Sequence, residues 1–314
     1  MSGFLVRRLL ASLLTALLAS MVVFAIVRTV PGDIVMQMMG QSSNDPRAEA
    51  ALRAFFGLDQ PLYQQYLDWL WRVLQGDLGR SWNKGLDVAD AVWSAFLVTL
   101  ELGLLTLLLA TFIGVPLGLL AALREGRWLD HALQTINLLG LSAPVFWVGL
   151  MLLVGASSLL AWSPPLIYRG PSESFSDNLA MLVLPVLSLG VLQAAAYAQF
   201  TRQAVISAKR EDYVRTARAK GMPLASVYFK HILRNILIPL VTFMGLILIQ
   251  ILGGVVIIES LFSLPGLGRL LLSSLQQRDF PLVQGALLLI VVVALLVNLT
   301  VDLLYRLIDP RTRS

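Results

Sequence analysis

Apolar residues are gathered into long runs, and six stretches of at least 19 residues contain no charged side chain. A helix of that length is about 29 Å long, close to the roughly 30 Å of hydrocarbon in a bilayer. Continuous apolar runs do not suit barrel strands, so the pattern predicts transmembrane helices. The predicted fold is an all-α membrane protein with six spans, in the stretches Leu9–Val27, Leu102–Leu123, Ala132–Tyr168, Asn178–Thr201, Asn235–Ile258 and Phe280–Val301.

The third stretch is too long for a single span. Trp162 and the pair Pro164–Pro165 predict that its helix ends near Leu160 and that the chain continues as an interfacial loop.

The first stretch follows Arg7 and Arg8, as the core of a cleaved secretory signal would. It is longer than such a core, and the segment 28–31 is no small-residue cleavage site. A retained helix is therefore the favoured interpretation, and sequencing the N-terminus of the mature protein would distinguish the two.

Composition excludes several classes of protein. Apolar residues make up 57% of the chain and charged residues only 14%, whereas soluble domains carry roughly a quarter charged residues and disordered chains more. The absence of cysteine excludes disulfide scaffolds and thiolate metal sites. His131 and His231 are isolated and no His-Glu-x-x-His is present, so a metalloprotease is excluded as well.

Positive charge predicts the orientation. The N-terminus, the second and fourth loops and the C-terminus together hold 15 of the 24 Lys and Arg residues. Positive charge in short loops marks the cytoplasmic side, so both termini are predicted to be cytoplasmic. The net charge of +5 then reflects membrane topology and does not indicate nucleic-acid binding.

The first loop, residues 28–96, is predicted to lie outside. A short helix is expected after Pro46 and is expected to end at Gly57, and an amphipathic helix is expected to end at Gly76. Its aromatic residues suit headgroup level. Two interpretations stay open at this point: a helix that lies on the membrane, or a platform that docks an external partner.

The fourth loop, within residues 202–234, predicts a helix, a break and a second helix. Gly221 suits the left-handed position after the first helix, and Pro223 suits the first position of the next. An apolar stripe is expected on the second helix, formed by Leu224, Val227, Tyr228 and Ile232. Such a hairpin fits either a groove on another protein or an anionic membrane surface.

The hairpin resembles the cytoplasmic EAA loop of bacterial ABC importer permeases, in the form of the dipeptide, oligopeptide and nickel branch. The similarity rests on the segment 215–221, where Arg215, Thr216 and Ala217 stand for the opening Glu-Ala-Ala and Gly221 for the glycine. The strict Ile-x-Leu-Pro spacing of the general motif is absent.

Further segments resemble the same branch in the same order along the chain. They are Arg7–Arg8, Val30–Asp33, Gly57–Leu62, Gly76–Gly79, Thr99–Leu102, Glu259–Arg269, Asp302–Tyr305 and Asp309–Arg311.

This resemblance implies a non-catalytic permease subunit of the bacterial inner membrane, formed as a single transmembrane domain over residues 1–314. It implies partnership with a second permease, two ATPase chains and an external binding protein. The transported solute would be a short peptide, with nickel chelates or glutathione-like solutes as alternatives. The residues implied to contact the ATPase are Arg215, Thr216, Ala217, Arg218, Lys220, Gly221, Pro223, Leu224, Val227 and Tyr228.

No Gly-Lys pair occurs in the chain, so no phosphate-binding loop of the Gly-x-x-x-x-Gly-Lys type is present. ATP and Mg²⁺ are therefore expected on the partner ATPases, with no cofactor on this chain. An intramembrane enzyme would need a nucleophile or metal cluster, and a stand-alone channel or proton-coupled carrier would transport without any ATPase.

Polar residues in the apolar stretches are few. Glu101 and Asp302, with Arg306 one turn away, are expected to have structural roles near span ends. Gln193, Tyr197 and Gln250 are candidates for the translocation path, and the alternative is hydrogen bonding between helices.

Overall fold

The computed structural model describes residues 2–29, 35, 39, 46–55, 57–223 and 226–308. Apart from an isolated bridge between Arg80 and Asp87, the regular structure of these residues is helical. The helices are α1 Ser2–Thr29, α2 Pro46–Phe55, α3 Leu62–Leu74, α4 Val88–Leu123, α5 Trp128–Ser142, α6 Val145–Leu160, α7 Phe175–Lys209, α8 Asp212–Ala219, a π-helix Val227–Ile232, α9 Leu233–Gly254, α10 Val256–Leu261, α11 Leu267–Gln276 and α12 Phe280–Ile308.

Among the described residues, five helices are long and apolar enough to cross a membrane, and the number is six if one bent pair of helices is counted as a single span. The bent pair corrects the prediction for the third stretch. In place of one helix, α5 and α6 meet at 97° across Ala143 and Pro144, because proline disfavours helical geometry in the residue before it. The predicted end near Leu160 is confirmed.

Two spans are longer than the uncharged stretches that predicted them. Helix α4 begins at Val88 instead of Leu102, and α7 continues eight residues past Thr201 to Lys209. Charged residues lie in both extensions, and each of the charges at Glu101, Arg202 and Lys209 has a partner within the protein. A helix can continue through a charged residue whose charge is paired. The length of an uncharged stretch is therefore shorter than the helix that contains it.

The chain forms two compact units. One consists of Leu97–Arg269 and Leu296–Ser314, and the other of Ser2–Phe96 and Leu270–Leu295.

In the first unit, α4 and α7 approach closely at Gly114 and Gly118. A methyl group at Gly114 would overlap the Tyr197 side chain, and one at Gly118 would overlap the backbone carbonyl of Ala198. Small residues four apart allow membrane helices to pack backbone against backbone, where van der Waals contact stabilises the pair. This glycine pair therefore fixes the α4–α7 crossing.

Glu259 organises the start of α11 in the same unit. Its carboxylate accepts hydrogen bonds from the Thr99 hydroxyl (2.5 Å) and from the backbone N–H of Arg269 (2.9 Å). Gly266 leaves room for the carboxylate, since a Cβ there would overlap it. The Glu259 oxygen thus accepts an N–H group that the first turn of α11 leaves without a partner inside the helix, which gives a physical role to the segment Glu259–Arg269.

Neighbouring Glu101 is also paired. The Tyr168 hydroxyl donates to its carboxylate at 2.7 Å, and the Asn178 side chain donates at 3.3 Å. Burial raises the pKa of Tyr168, and the adjacent carboxylate adds to this effect, so the phenol stays a donor. These contacts agree with the structural role expected for Glu101.

In the second unit, Asp279 closes the loop that precedes α4. Its buried carboxylate accepts from the Ser81 hydroxyl at 2.5 Å and from the backbone N–H groups of Trp82 and Asn83. Gly76 ends α3 with a positive φ of 83°, as predicted, and its N–H donates to the carbonyl of Val73.

We expect Gly118→Ala to lower the free energy of unfolding by about 1–3 kcal/mol, because the added methyl group meets the backbone of α7. Chemical unfolding of the purified chain in detergent micelles measures the change. Gly155→Ala is the matched control, since open space surrounds Gly155 and alanine favours a helix. Equal losses in both variants would contradict the close crossing.

Candidate coupling site

Helix α8 forms the outer part of the fourth loop. Val214 and Ala217 are buried beneath it, whereas Arg215, Thr216 and Arg218 are exposed. The Arg215–Asp212 ion pair on its surface is 3.5 Å long and solvated, so it contributes little stability.

Gly221 ends α8 as the sequence predicts. Its φ is +75°, its N–H donates to the carbonyl of Arg218, and the next N–H, that of Met222, donates to the carbonyl of Ala217. This is the Schellman arrangement, in which the residue after the helix adopts a left-handed conformation that favours glycine. The carbonyl of Pro223 then accepts from the N–H of Val227, one turn into the next segment.

The expectation of a partner-facing apolar stripe on the second helix is wrong for the residues that the structure describes. Val227, Tyr228 and Ile232 are buried in the core of their own unit. Leu224 lies outside the described residues. The chain folds in this way because these side chains bury their apolar surface against α7 and α9 inside the chain, which leaves none of it for a partner.

The segment Val227–Ile232 is a π-helix that leads directly into α9, and not an independent short helix. The N–H of Leu233 donates to the carbonyl of Tyr228, five residues earlier. Single π-turns inside helices are frequent at functional sites, and this one joins the loop to a membrane span without a break.

The surface that remains exposed is basic and polar. The predicted contact residues that stay exposed are Arg215, Thr216, Arg218, Lys220, Gly221 and Pro223, and the acidic residues Glu211 and Asp212 are exposed at the start of the same loop. The structure thus brings most of the predicted ATPase-contacting residues onto one exposed loop, but assigns Ala217, Val227 and Tyr228 to its interior.

A buried ion pair joins α7 to α5 beneath this loop. Arg202 donates from Nε to Asp130 Oδ1 at 2.6 Å and from Nη2 to Oδ2 at 2.8 Å. The Asp130 side chain is 1% exposed, and it also accepts from the Gly126 N–H and the Gln134 amide. The Asp130 carboxylate thus has four hydrogen-bond donors, two of which belong to the bidentate arginine, so its buried charge is fully satisfied.

A second pair lies just after the end of α4. Lys209 at the end of α7 donates to Glu125 at 2.7 Å and to the carbonyl of Ala122 at 3.2 Å. The hydrogen bond from Lys209 holds the pKa of the Glu125 carboxyl group below its usual value. Together the two pairs attach the turn at residues 124–127 to the stem of the fourth loop.

None of these four residues is among the site residues that the sequence predicts. Arg202 and Lys209 fall in the predicted fourth loop, and Asp130 precedes the third apolar stretch. The available signal was the presence of charges at the edges of apolar stretches, since an ionisable group near the membrane needs a partner.

The candidate path residues do not form one exposed set. Tyr197 is fully buried and packs edge-to-face on Phe243, with ring centres 5.2 Å apart. Gln193 is half-buried and Gln250 is exposed. Tyr197 therefore packs between helices of its own subunit through ring contact, and not through the hydrogen bond between helices that was the alternative interpretation.

Two families match the chain. Residues 114–314 match the family described as "Binding-protein-dependent transport system inner membrane component", and residues 1–103 match its N-terminal membrane component. The chain belongs to this family. It is a multi-pass inner-membrane permease subunit of an ABC importer of the peptide branch, and such systems include a partner permease, an ATPase and a binding protein.

Several curated proteins resemble the permease along its whole length. It is 41% identical to the di/tripeptide transport system permease protein DppB of Pseudomonas aeruginosa, covering 100% of this chain and 99% of the relative. It is 39% identical to the dipeptide transport system permease protein DppB of Escherichia coli, with the same coverage. The glutathione transport system permease protein GsiC of Escherichia coli is 38% identical, again with the same coverage.

A solved structure supports the fold. The permease superposes on a chain described as "Inward facing conformations of the MetNI methionine ABC transporter: CY5 native crystal form" with a TM-score of 0.54. The alignment covers 71% of this permease and 96% of that chain at 19% identity.

We expect Asp130→Asn to cost about 3 kcal/mol of unfolding free energy, because it leaves the Arg202 guanidinium without its counter-charge. Unfolding in detergent micelles is the measurement. The matched control is Asp177→Asn, whose exposed pair with Arg169 should contribute less than about 1 kcal/mol. If the two variants lost similar amounts of unfolding free energy, the buried pair would be no more stabilising than the exposed one.

Proposed function

We propose that this permease and a second, similar permease form the path by which di- and tripeptides cross the inner membrane. An external binding protein delivers the peptide, and two ATPase chains supply the energy. The observation that carries the proposal is 41% identity over the full chain to a permease named for di- and tripeptide transport.

In this proposal the exposed loop around Gly221 contacts the ATPase. Its basic, polar surface suits an acidic or polar groove, and electrostatic complementarity favours the correct partner. Force at α8 reaches the membrane spans along two routes: the π-helix continues into α9, and the ion pairs to Asp130 and Glu125 join α7 to α5 and to the end of α4. ATP and Mg²⁺ bind to the ATPases.

Glutathione is the second candidate solute, because GsiC is 38% identical over the same length. Glutathione is itself a modified tripeptide, so it is similar in size to the proposed substrates. A competition assay distinguishes the two solutes. If the substrate is a dipeptide, excess unlabelled dipeptide should abolish uptake of the labelled dipeptide, and excess glutathione should not.

The proposed orientation places the N-terminus, the C-terminus and the loop around Lys220 in the cytoplasm, and residues 28–96 outside. The natural chain has no cysteine, so a single introduced cysteine gives an unambiguous signal. In intact spheroplasts, a membrane-impermeant maleimide should label Lys84→Cys at once and should label Lys220→Cys only after permeabilisation. Labelling of Lys220→Cys from outside would invert the topology.

We expect Arg218→Glu combined with Lys220→Glu to reduce ATP-dependent dipeptide uptake at least tenfold, because charge reversal on an exposed surface weakens a docked interface. The assay uses proteoliposomes containing the assembled transporter and its binding protein. Both side chains are exposed, so the variant should insert and fold normally.

Lys84→Glu, an equally exposed charge reversal in the outer loop, is the control and should retain uptake. If the double variant transports like the control, the loop has no coupling role.

A further inference from the structure

Lys209 is the last residue of α7, and the exposed part of the fourth loop begins directly after it. Only Arg210 and Glu211 lie between Lys209 and the first residue of α8. Their N–H groups donate to the carbonyls of Ser207 and Ala208, at 3.1 Å and 3.2 Å, so this short joint is bonded to the last turn of α7. The position of α8 therefore depends on how the end of α7 is held.

The Lys209 side chain binds the C-terminal end of α4. Ala122 is the next-to-last residue of that helix, so its carbonyl is among those that an α-helix leaves without an N–H donor of its own. Lys209 Nζ donates to this carbonyl at 3.2 Å and to Glu125, two residues after the helix, at 2.7 Å. The helix dipole also favours an ammonium group at this end. One side chain thus caps α4 from the end of a different span.

Apolar packing accompanies this polar contact. Ala122 and Val205 are fully buried, and Ala208 is nearly so. These three residues belong to the same buried apolar cluster as Val214 of α8. Farther from the loop, the glycine pair of α4 meets α7 backbone against side chain and backbone. Helices α4 and α7 are therefore packed together up to the point where the chain turns into α8, and Lys209 supplies the polar contact at that point.

We propose that Lys209 is a positioning residue for the coupling site: its ammonium group joins the α7–α8 joint to the end of α4, so that α4 follows a displacement of α8. The inference rests on the proposed role of the loop around Gly221 in contacting the ATPase. It assigns to one side chain the link between α8 and the span α4, which is not adjacent to the loop in sequence.

This positioning role is separable from the stability of the fold. The side chains of Lys209 and Glu125 are 20% and 36% exposed, whereas that of Asp130 is 1% exposed. A partly exposed ion pair contributes little stability, whereas the loss of one partner of a buried pair is costly. Replacing Lys209 is therefore expected to release α8 from α4 without unfolding the chain.

Distance measurements test the positioning in the assembled transporter. Spin labels are attached to Asp212→Cys on α8 and to Arg127→Cys in the turn after α4, two exposed positions in a chain without natural cysteine, with cysteine-free partner subunits. We expect one narrow distance distribution with Lys209 in place and with Lys209→Arg, which keeps the charge and the donors. Lys209→Met keeps only the apolar stem, and its distribution should be about twice as wide.

Uptake measurements test the consequence for coupling. In proteoliposomes with the assembled transporter and its binding protein, the ATP hydrolysed per dipeptide taken up should rise about threefold or more for Lys209→Met. Lys209→Arg should restore normal coupling. Arg210→Met is the matched control, because it removes a neighbouring exposed charge that approaches Glu125 only to 4.0 Å and leaves Lys209 in place. It should keep both normal coupling and a narrow distance distribution.

Three results would overturn the proposal. They are an unchanged distance distribution in Lys209→Met, a wider distribution with normal ATP use per dipeptide, and equal effects of Lys209→Met and Arg210→Met. If Lys209→Met does not assemble, Glu125→Gln weakens the same contact from the other side and should shift both measurements in the same direction.

Failure of the proposed function gives a different result. Absence of ATP-dependent dipeptide uptake by the unsubstituted transporter would contradict that function, and the distance measurement would still decide whether Lys209 positions α8.

Discussion

Pairing of charges within apolar surroundings is the constraint on which the rest of this permease depends. Lipid offers no hydrogen bonds, so an ionised group near the membrane must find its donors or acceptors inside the protein. Asp130 has the Arg202 guanidinium, a backbone N–H and an amide, and Glu101 has a phenol and an amide. The Asp130–Arg202 pair and the contacts of Glu101 with Tyr168 and Asn178 also join segments that are distant in sequence, so they help to determine the tertiary arrangement.

The same constraint explains how the fourth loop is built. Its apolar side chains are used internally, where they hold α8 and the π-helix against α7 and α9. The exposed surface is left to charged and small residues. The ion pairs of Arg202 and Lys209 connect the end of α7, which carries the loop, to α5 and to the turn after α4. The loop is therefore attached to the helices that carry it at several points.

Much of the fold could be predicted from local sequence. Helices were expected where apolar runs occur, and Gly76 and Gly221 were expected to end helices, because hydropathy and left-handed glycine geometry depend on near neighbours. The bend between α5 and α6 was missed, although Ala143–Pro144 carried a signal for it. The start of α4 and the end of α7 differ from the prediction, because the criterion excluded charged residues and the charges there are paired within the protein.

The sequence by itself determined the apolar spans, the position of the exposed loop and the motifs that identify the family, because these properties depend on residues that are close together in the sequence. Only the tertiary structure decided which charges meet and which apolar stripe turns inward. The Asp130–Arg202 pair spans 72 positions and the Thr99–Glu259 hydrogen bond spans 160. Such contacts follow from helix packing, and in α4 and α7 that packing depends on the close approach at Gly114 and Gly118, which no local pattern specifies.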